Sequence, residues 1–273
     1  MDLDPARVLE ALDRLGASAG RPLSIAAETA STNDDAKRAA ATGAPHGATF
    51  IADAQTAGRG RGGHAWHSPP GENLYLSIVL RPSVAATEIA PITLAVGLAV
   101  ARVVARAVDG RTQVTIKWPN DVFADGRKIA GVLVEGQLRG DRVVSLVAGV
   151  GLNVRTRAFP AEIEGRATSL ALAGAGDLDR SSLAAALVAE VERVAGVYEA
   201  SGLASLLPEI RAIDFLRGRA VDVGGVRGLG AGIDDAGRLL VSGADGVLHA
   251  VASGEVLIGS IVGGCSTGDR FSP

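Results

Sequence analysis

Gly58-Arg59-Gly60-Arg61-Gly62-Gly63 sets two guanidinium forks among four glycines, and Trp66 follows three residues later. Closely spaced glycines let backbone N–H groups approach an anion, arginine forks match carboxylate or phosphate oxygens, and an indole offers a flat face to a ring. A loop of this composition suits folding over an anionic ligand. Its letters also satisfy the dinucleotide fingerprint G-x-G-x-x-G, which requires a strand before the glycines and a helix opening directly after them. Residues 48–56 read as that strand, but His64-Ala65-Trp66-His67-Ser68-Pro69-Pro70-Gly71 cannot open a helix in the required register. A phosphate loop of the Gly-Lys type is excluded, because the chain holds no such dipeptide. Taken alone, the loop is equally compatible with a solvated surface connector.

Of the 27 cationic residues only Lys37, Lys117 and Lys128 are lysine. In so arginine-rich a chain a lysine hints that a compact ammonium is needed at its position. The net charge of −3 provides no overall basic field for duplex nucleic acid, so any anion site must be local. The single cysteine, Cys265, permits neither an internal disulfide nor a thiolate metal cluster and suits a reducing compartment. The N-terminus is acidic, and the apolar stretch 89–101 is short for a bilayer span and contains Pro91. The expectation is a soluble, cytoplasmic protein with no membrane or nucleic-acid partner.

The elements that must position these residues follow from periodicity and punctuation. Helices are expected over 5–16, from the Ser31-Thr32-Asn33 cap to Gly43, over 88–108, from Ser181 to about 200, and over 203–216. Strands are expected over 48–56, 73–81, 114–118, 128–138 and 142–154, the Asp125-Gly126 pair making a hairpin turn. Hairpin-length connections predict an α+β fold with a mixed, mostly antiparallel sheet rather than a doubly wound one. Past Arg217 the texture changes to five short strands between Gly- and Asp-rich turns, a small barrel-like β module. The polar tail after Gly259 is expected to be loose.

Gly58-Arg59-Gly60-Arg61, Trp66, Ser68-Pro69-Pro70-Gly71 and Asn73-Leu74-Tyr75 together resemble the ligand loop of the biotin–protein ligases. The other signatures of that family stand in its order: Ser31-Thr32-Asn33, Gln55-Thr56-Ala57, Lys117-Trp118-Pro119-Asn120-Asp121, Gly126-Arg127-Lys128-Ile129-Ala130-Gly131 and Gly149-Val150-Gly151-Leu152-Asn153. The resemblance covers about residues 22–258. It implies a catalytic domain like that of class II aminoacyl-tRNA synthetases over 1–216, a small SH3-like β-barrel over 217–260, and a tail over 261–273.

The chemistry this resemblance implies has two steps. The carboxylate of biotin attacks the α-phosphorus of ATP, carried with Mg²⁺, to give biotinyl-5′-AMP and pyrophosphate; a lysine amine of a biotin carboxyl carrier protein or domain then displaces AMP. Both steps gather anions, so positioning and charge neutralisation dominate and no covalent nucleophile is needed. By family position Lys128 is the charge stabiliser, and Arg61 joins it in the catalytic pair. Biotin is assigned to Ser31, Thr32, Asn33, Gln55, Gly58, Arg59, Gly60, Arg61, Lys128, Gly131, Gly149 and Gly151. ATP is assigned to Arg61, His64, Trp66, Asn120, Lys128 and Asn153, with Asp121 as the candidate ligand of its Mg²⁺. Each has a plainer alternative. Ser31-Thr32-Asn33 also makes a helix cap, Trp66 a packed core residue, Gly149 and Gly151 a bulge, and Asn120-Asp121 a turn.

Gly62, Gly63 and His64 stand where many relatives carry further loop cations. About 25 residues precede the first motif, too few for a DNA-reading domain, so the expectation is an enzyme without repressor function. A lipoate–protein ligase and a non-catalytic biotin store or scaffold are the rival readings. Exposed sheet edges make a homodimer plausible.

Overall fold

The computed structural model describes residues 2–176 and 178–259. Cys265 and the 261–273 tail lie outside the described residues. Helix α1 (Pro5–Leu15) starts where the Asp4 carboxylate accepts the Ala6 and Arg7 N–H groups, and ends on Gly16 in the left-handed region. Helices α2 (Thr32–Ala41), α3 (Ile89–Val108) and α4 (Arg180–Ser201) follow the expected patterns. The cap of α4 is Asp179 rather than Ser181: its carboxylate accepts from the Ser181 and Ser182 N–H groups. The helix expected over 203–216 shrinks to α5 (Leu207–Ala212). The cause is a better use of the backbone, since residues 213–215 hydrogen-bond along Ile116 at the open edge of the sheet.

The main sheet has seven strands: β1 (Leu23–Thr29), β2 (Thr49–Gln55), β3 (Leu74–Leu80), β4 (Val114–Lys117), β5 (Asp121–Ala124), β6 (Arg127–Arg139) and β7 (Arg142–Leu152). Their order is β1-β2-β3-β7-β6-β5-β4. Only β1–β2 is parallel, and β1 is a strand the sequence pattern did not announce. Its polar, half-buried pattern as an edge strand is the reason. Asp125 and Gly126 both have positive φ, as the expected tight hairpin turn requires.

Every residue of β3 is buried because both faces of the sheet are covered. One face carries the main core, in which α3 packs on β6 and against α4, and α4 packs in turn against α1. Helix α3 is long and apolar enough to cross a membrane, longer than the 89–101 stretch suggested, but it is mostly buried inside this core. Among the described residues the one helix on the other face is α2, which packs through a small cluster of Ala36, Ala40, Ala48, Val79 and Val147. That leaves the sheet beyond the N-terminus of α2 without a helix over it.

The C-terminal strands β8 (Ala220–Val223), β9 (Val226–Ile233), β10 (Leu239–Ser242), β11 (Leu248–Val251) and β12 (Val256–Ile258) form a second, antiparallel sheet in the order β11-β10-β9-β8-β12. The Trp118 indole donates to the Gly237 carbonyl at 2.9 Å, and Lys117 Nζ donates to the Val256 carbonyl at 3.0 Å. Trp118 is therefore a core anchor between the two sheets. Lys117 beside it is held below the usual lysine range, chiefly by burial, with Lys128 and Arg166 adding to the effect.

Candidate active site

Where α2 gives out, the strand register lines up a floor. Tyr75, Gly151, Gly131 and Asp121 are directly opposite one another across β3, β7, β6 and β5, and Ser77, Gly149 and Leu133 form the adjacent row. Opposed residues share a face, so three glycines lower the floor beneath one cleft. Substituents there would collide with what now fills the space. A Cβ on Gly149 would come within 2.0 Å of Asn33 Oδ1, and one on Gly151 within 2.5 Å of the Trp66 ring.

One wall is the start of α2. Ser31 caps the helix by its backbone but makes no side-chain cap bond, and the buried residue lines the cleft. The Thr32 amide and hydroxyl both reach Gln55 Oε1, at 2.9 and 3.2 Å. Ser77 Oγ lies 2.6 Å from Asn33 Oδ1 and 2.8 Å from Thr32 Oγ1, while Asn33 Nδ2 donates to Glu135 at 2.8 Å. Buried polar groups this thoroughly interlocked hold one geometry.

The opposite end carries the charge. Lys128 Nζ is 2.7 Å from Asp121 Oδ1 and 5.2 Å from the centre of the Trp66 ring. Lys128 and Gly131 are three apart and would sit on opposite faces of a regular strand. A register shift against β5 between Val122 and Phe123 removes that difference, so that a Cβ on Gly131 would stand 3.5 Å from Lys128 Nζ. The Lys128 backbone is fixed separately, its N–H donating to Arg166 and its carbonyl accepting from Thr168. Asn120 donates to the Val132 carbonyl at 2.9 Å and lines the same cleft.

The glycine-arginine loop closes on itself as a small hairpin. Gly60 N–H donates to His64, Trp66 N–H donates to Gly58, and Gly62 and Gly63 turn the chain with positive φ. A side chain at either of these two positions would be strained in that conformation. Gly58 passes so close to Ser68 Oγ that a Cβ would lie 2.6 Å from it. The Trp66 indole lies over Gly131 and Gly151 inside the cleft, its Nε1–H buried and without an acceptor.

Of the residues the sequence pointed to, the cleft brings together Ser31, Thr32, Asn33, Gln55, Arg59, Gly60, Trp66, Asn120, Lys128, Gly131, Gly149 and Gly151. Five lie outside that lining, the first being Gly58, which packs against Ser68 and Gln55. Arg61 donates to the Gly254 carbonyl at 3.1 Å, and His64 lies 4.0 Å from Glu255, so both face the C-terminal sheet. Asn153 is buried with its amide donating to the Thr168 carbonyl. Asp121 is the counter-ion of Lys128. No group of three or more His, Cys, Asp or Glu among the described residues is placed to hold a metal. Given no site role from the sequence were the walls Tyr75 and Val150, which stand within its motifs, the walls Val132 and Leu133, and the support given by Ser77 and Glu135. Alternation along β3, β6 and β7 was the signal that could have found them.

The cleft yields one optical test. The chain has two tryptophans, and Trp118 is locked in the core. Ligand entry is expected to change the emission of Trp66 alone, so Trp66→Phe should abolish any fluorescence change on adding biotin and ATP, the ligands the resemblance implies. A change that survives in Trp66→Phe would place the ligand elsewhere.

The sequence profile of the biotin/lipoate A/B protein ligase family matches residues 26–153, and that of the biotin protein ligase C terminal domain matches residues 217–259. A biotin--[acetyl-CoA-carboxylase] ligase of Mycobacterium tuberculosis is 38% identical over 253 residues, spanning 89% of this chain and 91% of its own length. The bifunctional ligase/repressor BirA of Bacillus subtilis is 35% identical over 224 residues, 80% of this chain and 68% of that one. Among solved structures, the biotin protein ligase from Aquifex aeolicus in complex with biotin and ATP superposes with a TM-score of 0.74 at 28% identity, covering 86% of this chain and 97% of that chain.

Proposed function

The chain belongs to the biotin/lipoate A/B protein ligase family, and from that premise we propose how its cleft carries out biotin–protein ligation. It is a biotin protein ligase that uses ATP; the reading of its residues and of its acceptor is our own. Ser31, Thr32 and Gln55 offer hydroxyl and amide groups at the polar end of the cleft, where the ureido ring of biotin finds donors and acceptors. The glycine floor accommodates the rest of the vitamin and leads its carboxylate toward Lys128.

There the ammonium sits between two anions. As a carboxylate oxygen bonds to the α-phosphorus, pyrophosphate departs with the electron pair of the broken P–O bond, and Lys128 offsets the charge gathering on the α-phosphoryl oxygens. Asp121, 2.7 Å from the ammonium, aims it at that point. Asp121 is the carboxylate that would hold a Mg²⁺ carried by the triphosphate, and the ion would there offset phosphate charge. Arg61 stands in the same loop hairpin, where its side chain can leave the Gly254 carbonyl and turn to the phosphates while the loop stays in place. In the second step the amine of an acceptor lysine forms the amide bond, AMP leaves, and the amine loses a proton to solvent or AMP. The acceptor we infer is the biotin carboxyl carrier domain of a carboxylase.

The single observation that carries this reading is the convergence of Lys128, the Ser31–Gln55 wall and the three-glycine floor on one cleft of a chain from this family. The test is the mass of a purified carrier domain incubated with the protein. It should rise by one biotinyl group on its acceptor lysine only when ATP, Mg²⁺ and biotin are all present. Transfer of lipoate, or biotin binding without any ATP-dependent transfer, would overturn the proposal.

A further inference from the structure

Asp34 stands in the first turn of α2, where an acidic residue is ordinarily explained by the helix N-terminus alone. Its carboxylate does more. Oδ2 lies 2.8 Å from Arg59 Nη1 and Oδ1 lies 2.6 Å from Arg59 Nη2, a bidentate pair between α2 and the glycine-arginine loop. Lys37 Nζ is 3.0 Å from the same carboxylate and 2.8 Å from Glu135 on β6, and Glu135 in turn accepts from Asn33. Charges of alternating sign thus run unbroken from the loop, through the helix, to the asparagine that packs on Gly149.

A partly exposed ion pair contributes little unless it is bidentate or belongs to a network, and this one meets both conditions. The hydrogen bonds from Arg59, with Lys37 adding to them, hold the Asp34 carboxyl well below the usual carboxylate range against the opposing effect of partial burial. The other two cationic-type side chains of the loop have no such anchor in view: Arg61 meets a backbone carbonyl, and His64 is 4.0 Å from an exposed Glu255.

We propose that Asp34 is a positioning residue, which holds Arg59 and with it the loop over the cleft before any ligand arrives. Ligand binding then does not have to order the loop, and the benefit falls on affinity rather than on the chemical step. The kinetic consequence rests on the ligase reading; the latch itself does not.

The test uses the full chain with and without Asp34→Asn. In the ligand-free protein, trypsin cleavage after Arg61 should accelerate about fivefold or more, because cleavage tracks the population of the open loop. The KM for biotin should rise about three- to tenfold with kcat held within about twofold. In an Arg59→Gln background the same substitution should change neither quantity further, and Asp34→Glu should recover part of the loss. Unchanged cleavage and KM in Asp34→Asn would overturn the proposal. So would equal increments in the Arg59→Gln background, which would assign Asp34 to the stability of α2 alone. If the protein transfers no biotin at all, the reading of its function falls, while the cleavage rates still decide the latch.

Discussion

Lys128→Ala is expected to reduce biotin-dependent ATP–pyrophosphate exchange by about two to three orders of magnitude, the loss typical of removing one preorganised charge-stabilising group. The fold should survive, because the Lys128 backbone is held by Arg166 and Thr168 through bonds that do not involve the side chain. The side chain itself touches Asp121 and the face of Trp66, the second of which lines the cleft. Lys128→Arg should rescue poorly. A guanidinium is a planar fork, whereas the space between Asp121 and the glycine floor is fitted to a compact ammonium, and 3.5 Å separates Nζ from where a Gly131 Cβ would stand. Thermal unfolding near that of the parent with exchange lost would place Lys128 in the chemical step. Near-normal exchange in Lys128→Ala would remove it from the mechanism.

The second large effect is expected at Gly149→Ala. One added methyl would meet Asn33 Oδ1 at 2.0 Å, and Asn33 has little freedom to withdraw, being tied to Ser77 at 2.6 Å and to Glu135 at 2.8 Å. Overpacking of this kind costs about 1–3 kcal/mol, and here it must be relieved by moving the wall of the cleft. Calorimetry should show biotin affinity weaker by about 10- to 100-fold, the same energy expressed at the binding site. Gly97, which lies in α3 with open space where its Cβ would be, is the matched control and should bind biotin normally as Gly97→Ala. Equal affinity of Gly149→Ala and the parent would show that the floor is not where the vitamin lies.

Much of this was legible in the chain. Helix caps and stops are local chemistry: Asp4 and Gly16 frame α1 by contacts within a few residues. Hairpins are local as well, since Asp125-Gly126 dictates its own turn and so sets β5 beside β6. The motif residues are legible because reaction chemistry restricts residue type at each position more tightly than packing does. Thus the Ser31–Asn33, Gln55, Lys128 and glycine signatures stood out, and they meet at one cleft. Less legible were edges and ends. Strand β1 has a polar pattern because only part of one face is covered, and the 203–216 helix broke because a distant sheet edge offered its backbone a partner.

What the amino-acid sequence determined by itself, then, was the set of groups available and the local frames that carry them. Tertiary structure decided which of those groups face each other. Register across β3, β7 and β6 stacked Gly151 on Gly131 and Gly149 beside Ser77, pairings set by strands far apart along the chain. A shift near Val122 turned Lys128 onto the same face as Gly131, although their spacing alone sets them on opposite ones. Packing of the C-terminal sheet took Arg61 toward Gly254, and α2 took Arg59 to Asp34. The reason is physical: backbone propensity and turn chemistry act over a few residues, whereas the direction a long charged side chain takes depends on counter-charges that only folding brings near.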